Sequence, residues 1–373
     1  MTTPHPPPRR TRRAILATVA GIVAAGGVAR PHARHGCRAA EPGPPDAVAR
    51  AAEDPVSAAA ATAVDRGVAW LVAGQQPDGS WGSGGFRGSA AVTAQVVMAL
   101  VAAGSTPASG RHADAVARGV GLLMACAGPD GLIAGNEDAA HGPMYGHIFA
   151  TTALAEVYGE TDDDARVATI LAAARDLLAR TQSDTGGWRY RAARGDADLS
   201  VTAAAVVALR GLHNGGVAVD ERTIDRAVAC IEGMQNPDGG FRYLADAGPS
   251  GSPRTAAAVF ALLVAGRDGD AVDRGFRWLD EHRIAPGDAD GYALYGLAYE
   301  AAARWRRDGA DDGGWPAWYA RTAARLLEAQ RPDGAWQDPS CPEYGTAAAV
   351  SVLCMPWATV PLFEPDRTTG ETP

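Results

Sequence analysis

Four segments of this chain repeat one turn, in which a glutamine is followed four residues later by a glycine and six residues later by a large aromatic. They run from Gln75 to Gly79 and Trp81, from Gln182 to Gly186 and Trp188, from Gln235 to Gly239 and Phe241, and from Gln330 to Gly334 and Trp336. A fifth segment, Ala127 to Ile133, keeps only the Asp130-Gly131 pair. The glycines at 79, 131, 186 and 239 lie 52, 55 and 53 residues apart, and the 95 residues from Gly239 to Gly334 leave room for two shorter units. Repeats of this length are supersecondary units that bury their apolar faces only against one another.

Each turn lies between two kinds of helical pattern. Upstream runs such as Ala63 to Leu71 and Thr322 to Leu327 carry their charges on one face, as a half-solvated helix does. Downstream runs such as Thr202 to Leu209 have no charged face and suit a buried helix. One outer and one inner helix per repeat, six times over, predicts an all-α (α/α)6 toroid of six helical hairpins in two concentric rings. In the turn itself, glycine supplies backbone angles that a side chain opposes. The glutamine is expected to bond the free carbonyls at the end of its own outer helix, and the tryptophan to pack across to the next repeat.

The inner helices align on a shared pattern that ends in leucine. Seven residues before that leucine stand Thr93, His147, Thr202, Thr255, Asp290 and Thr346. Threonine suits a helix start, so His147 and Asp290 stand out. All six helix starts should face one mouth of the ring, where free N–H groups and partial positive charge gather. Asp198, Asp196, His147 and Tyr145 are the candidates there for catalysis. His141, Ser200, Arg254, Asp290, Tyr292, Tyr295, Glu343 and Tyr344 are the candidates for ligand binding. Glu156 lies nine residues beyond His147, so these two with His141 make a poor metal set, and no metal or other cofactor is expected.

Charge is distributed unevenly. The net charge is -9 over 373 residues, which argues against a nucleic-acid partner. All the basic residues are arginine, which reads as compositional bias alongside the high alanine, glycine and proline. The string Thr11-Arg12-Arg13-Ala14-Ile15-Leu16 and the apolar run from Ala14 to Ala29 resemble a twin-arginine export signal. Residues 1–30 are therefore expected to be a signal or anchor and 31–58 a flexible linker. The toroid is expected over 59–363 and a disordered tail over 364–373. Export would place the domain outside the cytoplasm, in contact with a membrane only through an uncleaved N-terminus. None of the five cysteines forms a C-x-x-C pair; one disulfide is open to them, and Cys126 and Cys230 read as small core residues. Nothing marks an oligomer interface.

The repeated turns, over residues 60 to 363, resemble the squalene cyclase and protein prenyltransferase superfamily. Met144-Tyr145-Gly146-His147, Leu154 to Gly159 and Pro356 to Phe363 are similar to exported bacterial proteins with prenyltransferase/squalene oxidase repeats. The resemblance implies two known chemistries. Triterpene cyclases protonate an alkene with the middle aspartate of Asp-x-Asp-Asp-Thr-Ala; here the matching string is Asp198-Leu199-Ser200-Val201-Thr202-Ala203, with Ser200 at the acid's position. Protein prenyltransferases hold zinc through an Asp, a Cys and the His of a Tyr-His-Thr, which reads Tyr344-Gly345-Thr346 here.

The expected function is therefore a toroid that binds a hydrophobic, isoprenoid-like small molecule, or a peptide or protein partner, in its cavity without either catalytic set. Two alternatives are a divergent terpenoid-processing enzyme using Asp198, Asp196, Tyr145 and His147, and a carbohydrate-active enzyme. The latter needs paired carboxylates across the cavity, which Asp198, Asp290 and Glu343 would have to supply.

Overall fold

The computed structural model describes residues 55–136, 142–286, 292–309, 314–357, 360 and 362. Among them are twelve α-helices and no extended strand. The outer helices are α1 (Pro55–Ala73), α3 (Ala113–Ala125), α5 (Asp164–Thr181), α7 (Glu221–Glu232), α9 (Asp270–Glu281) and α11 (Trp315–Ala329). The inner helices are α2 (Ala90–Ala102), α4 (Met144–Val157), α6 (Leu199–Asn214), α8 (Ser252–Val264), α10 (Ala293–Asp308) and α12 (Pro342–Cys354). Each inner helix packs on the next, and α12 returns to α2, so the inner ring closes. Helix α1 begins at Pro55, inside the segment read as linker. The export signal and the C-terminal tail lie outside the described residues.

Sequence pattern and burial agree. Along α5 the buried positions Val167, Ile170, Leu171, Ala174, Leu177 and Leu178 form one stripe, the spacing of a helix with one solvated face. Helix α2 is buried on nearly every side. Alanine fills many inner-ring positions, and its small side chain lets neighbouring helices approach closely.

The turns carry the contacts between repeats. The Gln75 amide donates to its own turn at the Gly79 carbonyl (3.0 Å) and to Ala115 of α3 (2.9 Å). Gln182 does the same to Gly186 and Thr223, Gln235 to Gly239 and Ala271, and Gln330 to Gly334 and Ala63 of α1. Each glutamine thus bonds the neighbouring outer helix, not the end of its own as the sequence suggested. The tryptophan indole N–H turns back instead, from Trp81 to Leu71, Trp188 to Leu178 and Trp336 to Leu326. Its ring still reaches the next repeat, where Gly119 and Gly67 leave room for Trp81 and Trp336. Arginines add a further clasp: Arg118 donates to Gln75, Arg180 to Asp130, Arg226 to Ser183, Arg274 to Gln235 and Arg66 to Arg331.

The fifth hairpin, α9 with α10, has no such turn. Its seam is held by charge: Arg304 bridges Glu300 (2.8 Å) and Asp280 (2.7 Å), and Arg307 pairs with Asp273 (2.6 Å). Trp315 opens α11 and is buried against Trp305 and Trp318. A polar groove of about 540 Å³ follows this seam on the outer ring.

Two glycines separate the causes of turn stability. Gly186 has φ +96°, and a Cβ there would run into the Arg226 carbonyl of α7. Gly216 has φ +82° with no atom within 4 Å. Gly216→Ala should cost about 1 kcal/mol from backbone strain, and Gly186→Ala about 3 kcal/mol or more once overpacking is added. Urea midpoints of the two variants check this, and equal losses would show that the contact between repeats does not govern the turn.

Candidate functional site

Five of the six inner helices bind the turn that precedes them through one side chain. The backbone N–H of the turn residue donates to the inner-helix threonine: Trp81 to Thr93 (3.1 Å), Trp188 to Thr202 (3.1 Å), Phe241 to Thr255 (2.9 Å) and Trp336 to Thr346 (3.0 Å). In the second repeat His147 takes this place, its Nδ1 accepting from Ile133 (3.2 Å). His147 is fully buried, and burial lowers its pKa to about 4. It is a latch in threonine's position. The corresponding position in α10 is Gly296, whose N–H bonds the helix-capping Tyr292 carbonyl as Thr93 bonds Ser89. Asp290, assigned that register from sequence, precedes the helix. It lies outside the described residues, as does His141.

The helix starts at the mouth are less free than expected. The Met144 N–H donates to the Tyr190 carbonyl (3.2 Å), and the Leu199 N–H to that of Tyr243 (3.0 Å). Asp198 caps α6, accepting from the Val201 N–H at 2.9 Å. Its carboxylate is buried with Arg189 at 3.9 Å, and desolvation lifts its pKa to about 6. Asp196 is exposed beside Arg189. Arg254 folds back onto the Pro249 carbonyl, Tyr292 is 63% exposed, and buried Glu343 accepts from Ser83 of the first repeat. None of these four lines the cavity.

Tyrosines converge at the mouth. Tyr145 packs at 6.2 Å from Tyr190 and 5.6 Å from Phe149, and the Tyr190 and Tyr243 hydroxyls bond each other. Tyr295 lies 4.7 Å from Tyr299, with Ser200 beside its hydroxyl. Desolvation raises the pKa of Tyr145, Tyr243, Tyr295, Tyr299 and Tyr344, so their hydroxyls stay protonated. Of the residues proposed from sequence, the fold gathers Tyr145, Asp198, Ser200, Tyr295 and Tyr344. Sequence reasoning passed over Tyr190 and Tyr243, which stand two residues beyond the turn aromatics Trp188 and Phe241. It also passed over Phe149 and Tyr299, each one helical turn beyond a tyrosine it had named.

Below the mouth is a central cavity of about 80 Å³. All six inner helices wall it, through residues such as Gln95, Phe149, Val207, Phe260, Tyr299 and Tyr344, and Met355 and Leu362 reach it from the C-terminal segment. The described lining carries no carboxylate and no cation. Asp198 and Glu343, two of the three candidates for the pair of carboxylates that a carbohydrate-active site would need, are absent from it. Among the described residues, Cys230, Cys341 and Cys354 form no disulfide.

His147 and Asp198 give opposite pH responses. The folded pKa of His147 lies below its ordinary 6.5; its contribution is complete above pH 6.5 and is lost as pH falls toward 4. Asp198 is raised from 3.8 to about 6, so it destabilises the fold above pH 6 and that loss is recovered as pH falls toward 4. His147→Thr keeps the latch and removes the first response. Between pH 7 and 4 it should lose less stability than the wild type, by up to about 3 kcal/mol. Asp198→Asn should lose more. Urea titrations at several pH values check this, and identical profiles for wild type and His147→Thr would refute the assignment.

Residues 149–301 match the squalene-hopene cyclase C-terminal domain. No functionally curated protein sequence matches the chain. Among solved structures, the type II terpene cyclase MstE from Scytonema in complex with geranylgeranyl dihydroxybenzoate (substrate) is 18% identical over 80% of this chain and 98% of that one, with a TM-score of 0.56. A second such complex has a TM-score of 0.55 at 18% identity, over 81% and 98%. A protein from Actinoplanes also gives 0.55 at 18% identity, over 79% and 98%. At this identity the likeness is one of fold. Matched domain and shared architecture agree on the α/α toroid that the repeated turns predict.

Proposed function

We propose that the toroid holds a hydrophobic, isoprenoid-like small molecule in its central cavity and does not protonate it. The observation that carries this reading is the cavity wall: aromatic and aliphatic side chains from six helices, with no carboxylate in the described lining. Protonating an alkene needs a strong acid within reach of the substrate. By the resemblance of the string Asp198 to Ala203, Ser200 stands at that acid's position, and a serine hydroxyl is far too weak. The Scytonema cyclase, whose substrate joins an isoprenoid chain to an aromatic head, supports the ligand class.

A second reading has one observation in its favour. The Asp198 Oδ2 is buried without a hydrogen-bond partner, and its pKa near 6 keeps much of it protonated in mildly acidic solution. A divergent cyclase would use it as the acid. Against this, a pKa of about 6 marks a weaker acid than an ordinary aspartic acid, and the capping bond to Val201 orients the group toward its own helix.

Prenyl alcohols and squalene, titrated into the full chain, distinguish the two. Binding of at least one of these compounds should saturate and raise the melting temperature, with stability gained by about 2.7 kcal/mol at a hundredfold excess over Kd, and mass spectrometry should find only the starting compound. A cyclised product that disappears in Asp198→Asn would establish the second reading. No stabilisation by any of these compounds would remove the cavity as a binding site.

The arginine pair and apolar run at the N-terminus support the further reading that the toroid acts outside the cytoplasm. Fractionation of the producing cells should recover it there, and recovery only from the cytoplasm would reject export.

A further inference from the structure

Resting on that reading of the cavity, we infer that Phe260, Tyr295 and Tyr299 limit its contents to a short ligand, of about the bulk of one five-carbon isoprenoid unit, with a single neutral oxygen. The first ground is size. A cavity of about 80 Å³ holds roughly five to eight times the ~10–15 Å³ that one water occupies, but falls well under the ~300–1,000 Å³ of sites for drug-sized molecules. A chain of three or four isoprenoid units does not enter it as it stands.

The second ground is what takes up the space. Phe260 of α8 meets Tyr299 of α10 edge-on at 5.9 Å, and Tyr299 packs on Tyr295 at 4.7 Å. Three rings from two neighbouring helices thus crowd one side, while alanines at 204, 298, 302 and 348 form smooth wall elsewhere. Removing the Phe260 ring would join its volume to the cavity.

The third ground is the chemistry of the lining. The Tyr295 hydroxyl is buried, makes no hydrogen bond of standard geometry although Ser200 stands beside it, and stays protonated. It therefore offers a donor to an oxygen acceptor. Without a cation in the described lining, a diphosphate or carboxylate head would be desolvated with no counter-charge. An alcohol or carbonyl oxygen meets the site's needs.

Affinities of linear prenyl alcohols with five, ten, fifteen and twenty carbons test this on the full chain, alongside a five-carbon prenyl diphosphate. In an open apolar cavity, each additional buried methylene would tighten binding about fourfold. For the wild type the rise should stop at about the five-carbon alcohol, with the diphosphate weaker by about tenfold or more. Phe260→Ala should extend the rise to longer chains, and Phe260→Leu should do so partly, which serves if the alanine variant does not fold. Tyr295→Phe should weaken the alcohol and leave a hydrocarbon of equal size unchanged. Wild-type affinity that climbs steadily to twenty carbons, or a tighter diphosphate, would overturn the inference while leaving the cavity as a binding site. If no compound binds either protein, the cavity reading falls and the inference with it.

Discussion

The glutamine at each turn joins two backbones with one side-chain amide, and the ring depends on that bridge. Its two N–H groups donate to the turn's own glycine carbonyl and to the outer helix of the following repeat. The glycine has to be there because the neighbouring helix backbone comes so close. The aromatic that follows is fixed twice, by its indole to its own outer helix and by its backbone N–H to the inner-helix threonine. Buried polar groups in these turns are therefore satisfied between repeats, and a repeat that lost its neighbour would leave them unpaired. Closure of α11 and α12 onto α1 uses the same parts, with Gln330 and Gly334 meeting Ala63 and Arg66.

That dependence explains which features could be read from sequence. Turn spacing and helix patterning gave the six hairpins, because both follow from local periodicity. His147 looked like an exception worth a function, yet an imidazole nitrogen accepts a hydrogen bond as a threonine hydroxyl does, and the substitution is one of latch for latch. Asp290 lies outside the described residues, and the described seam of the fifth hairpin is the charged one around Arg304. Arginine was read as composition alone, although five arginines donate to the turn of the preceding repeat. Their partners lie some forty residues or more away, beyond the reach of any local pattern. Tyr190 and Tyr243 have a regular offset of two residues from the turn aromatics, but they belong to the loops and not to the helix starts.

The site that results is neutral and aromatic where the sequence suggested a ring of free N–H groups. Neighbouring turn carbonyls occupy the first N–H of α4 and α6, and capping side chains take others. Five tyrosines held in their protonated form supply donors without charge. Asp198 lies next to this cluster and caps its helix, and the cavity beneath is walled by mainly apolar groups with a few neutral polar ones such as Gln95 and Ser351. The architecture is shared with a type II terpene cyclase, while the described cavity wall carries no carboxylate and no cation.

Photo-crosslinking tests this account most directly. A short prenyl alcohol carrying a diazirine, irradiated with the full chain, should attach to peptides from α8 and α10 that contain Phe260, Tyr295 and Tyr299, and excess unlabelled alcohol should suppress the adduct. Adducts confined to the outer helices or to the polar groove between α9 and α10, or labelling that competitor leaves unchanged, would contradict a ligand held at the centre of the ring.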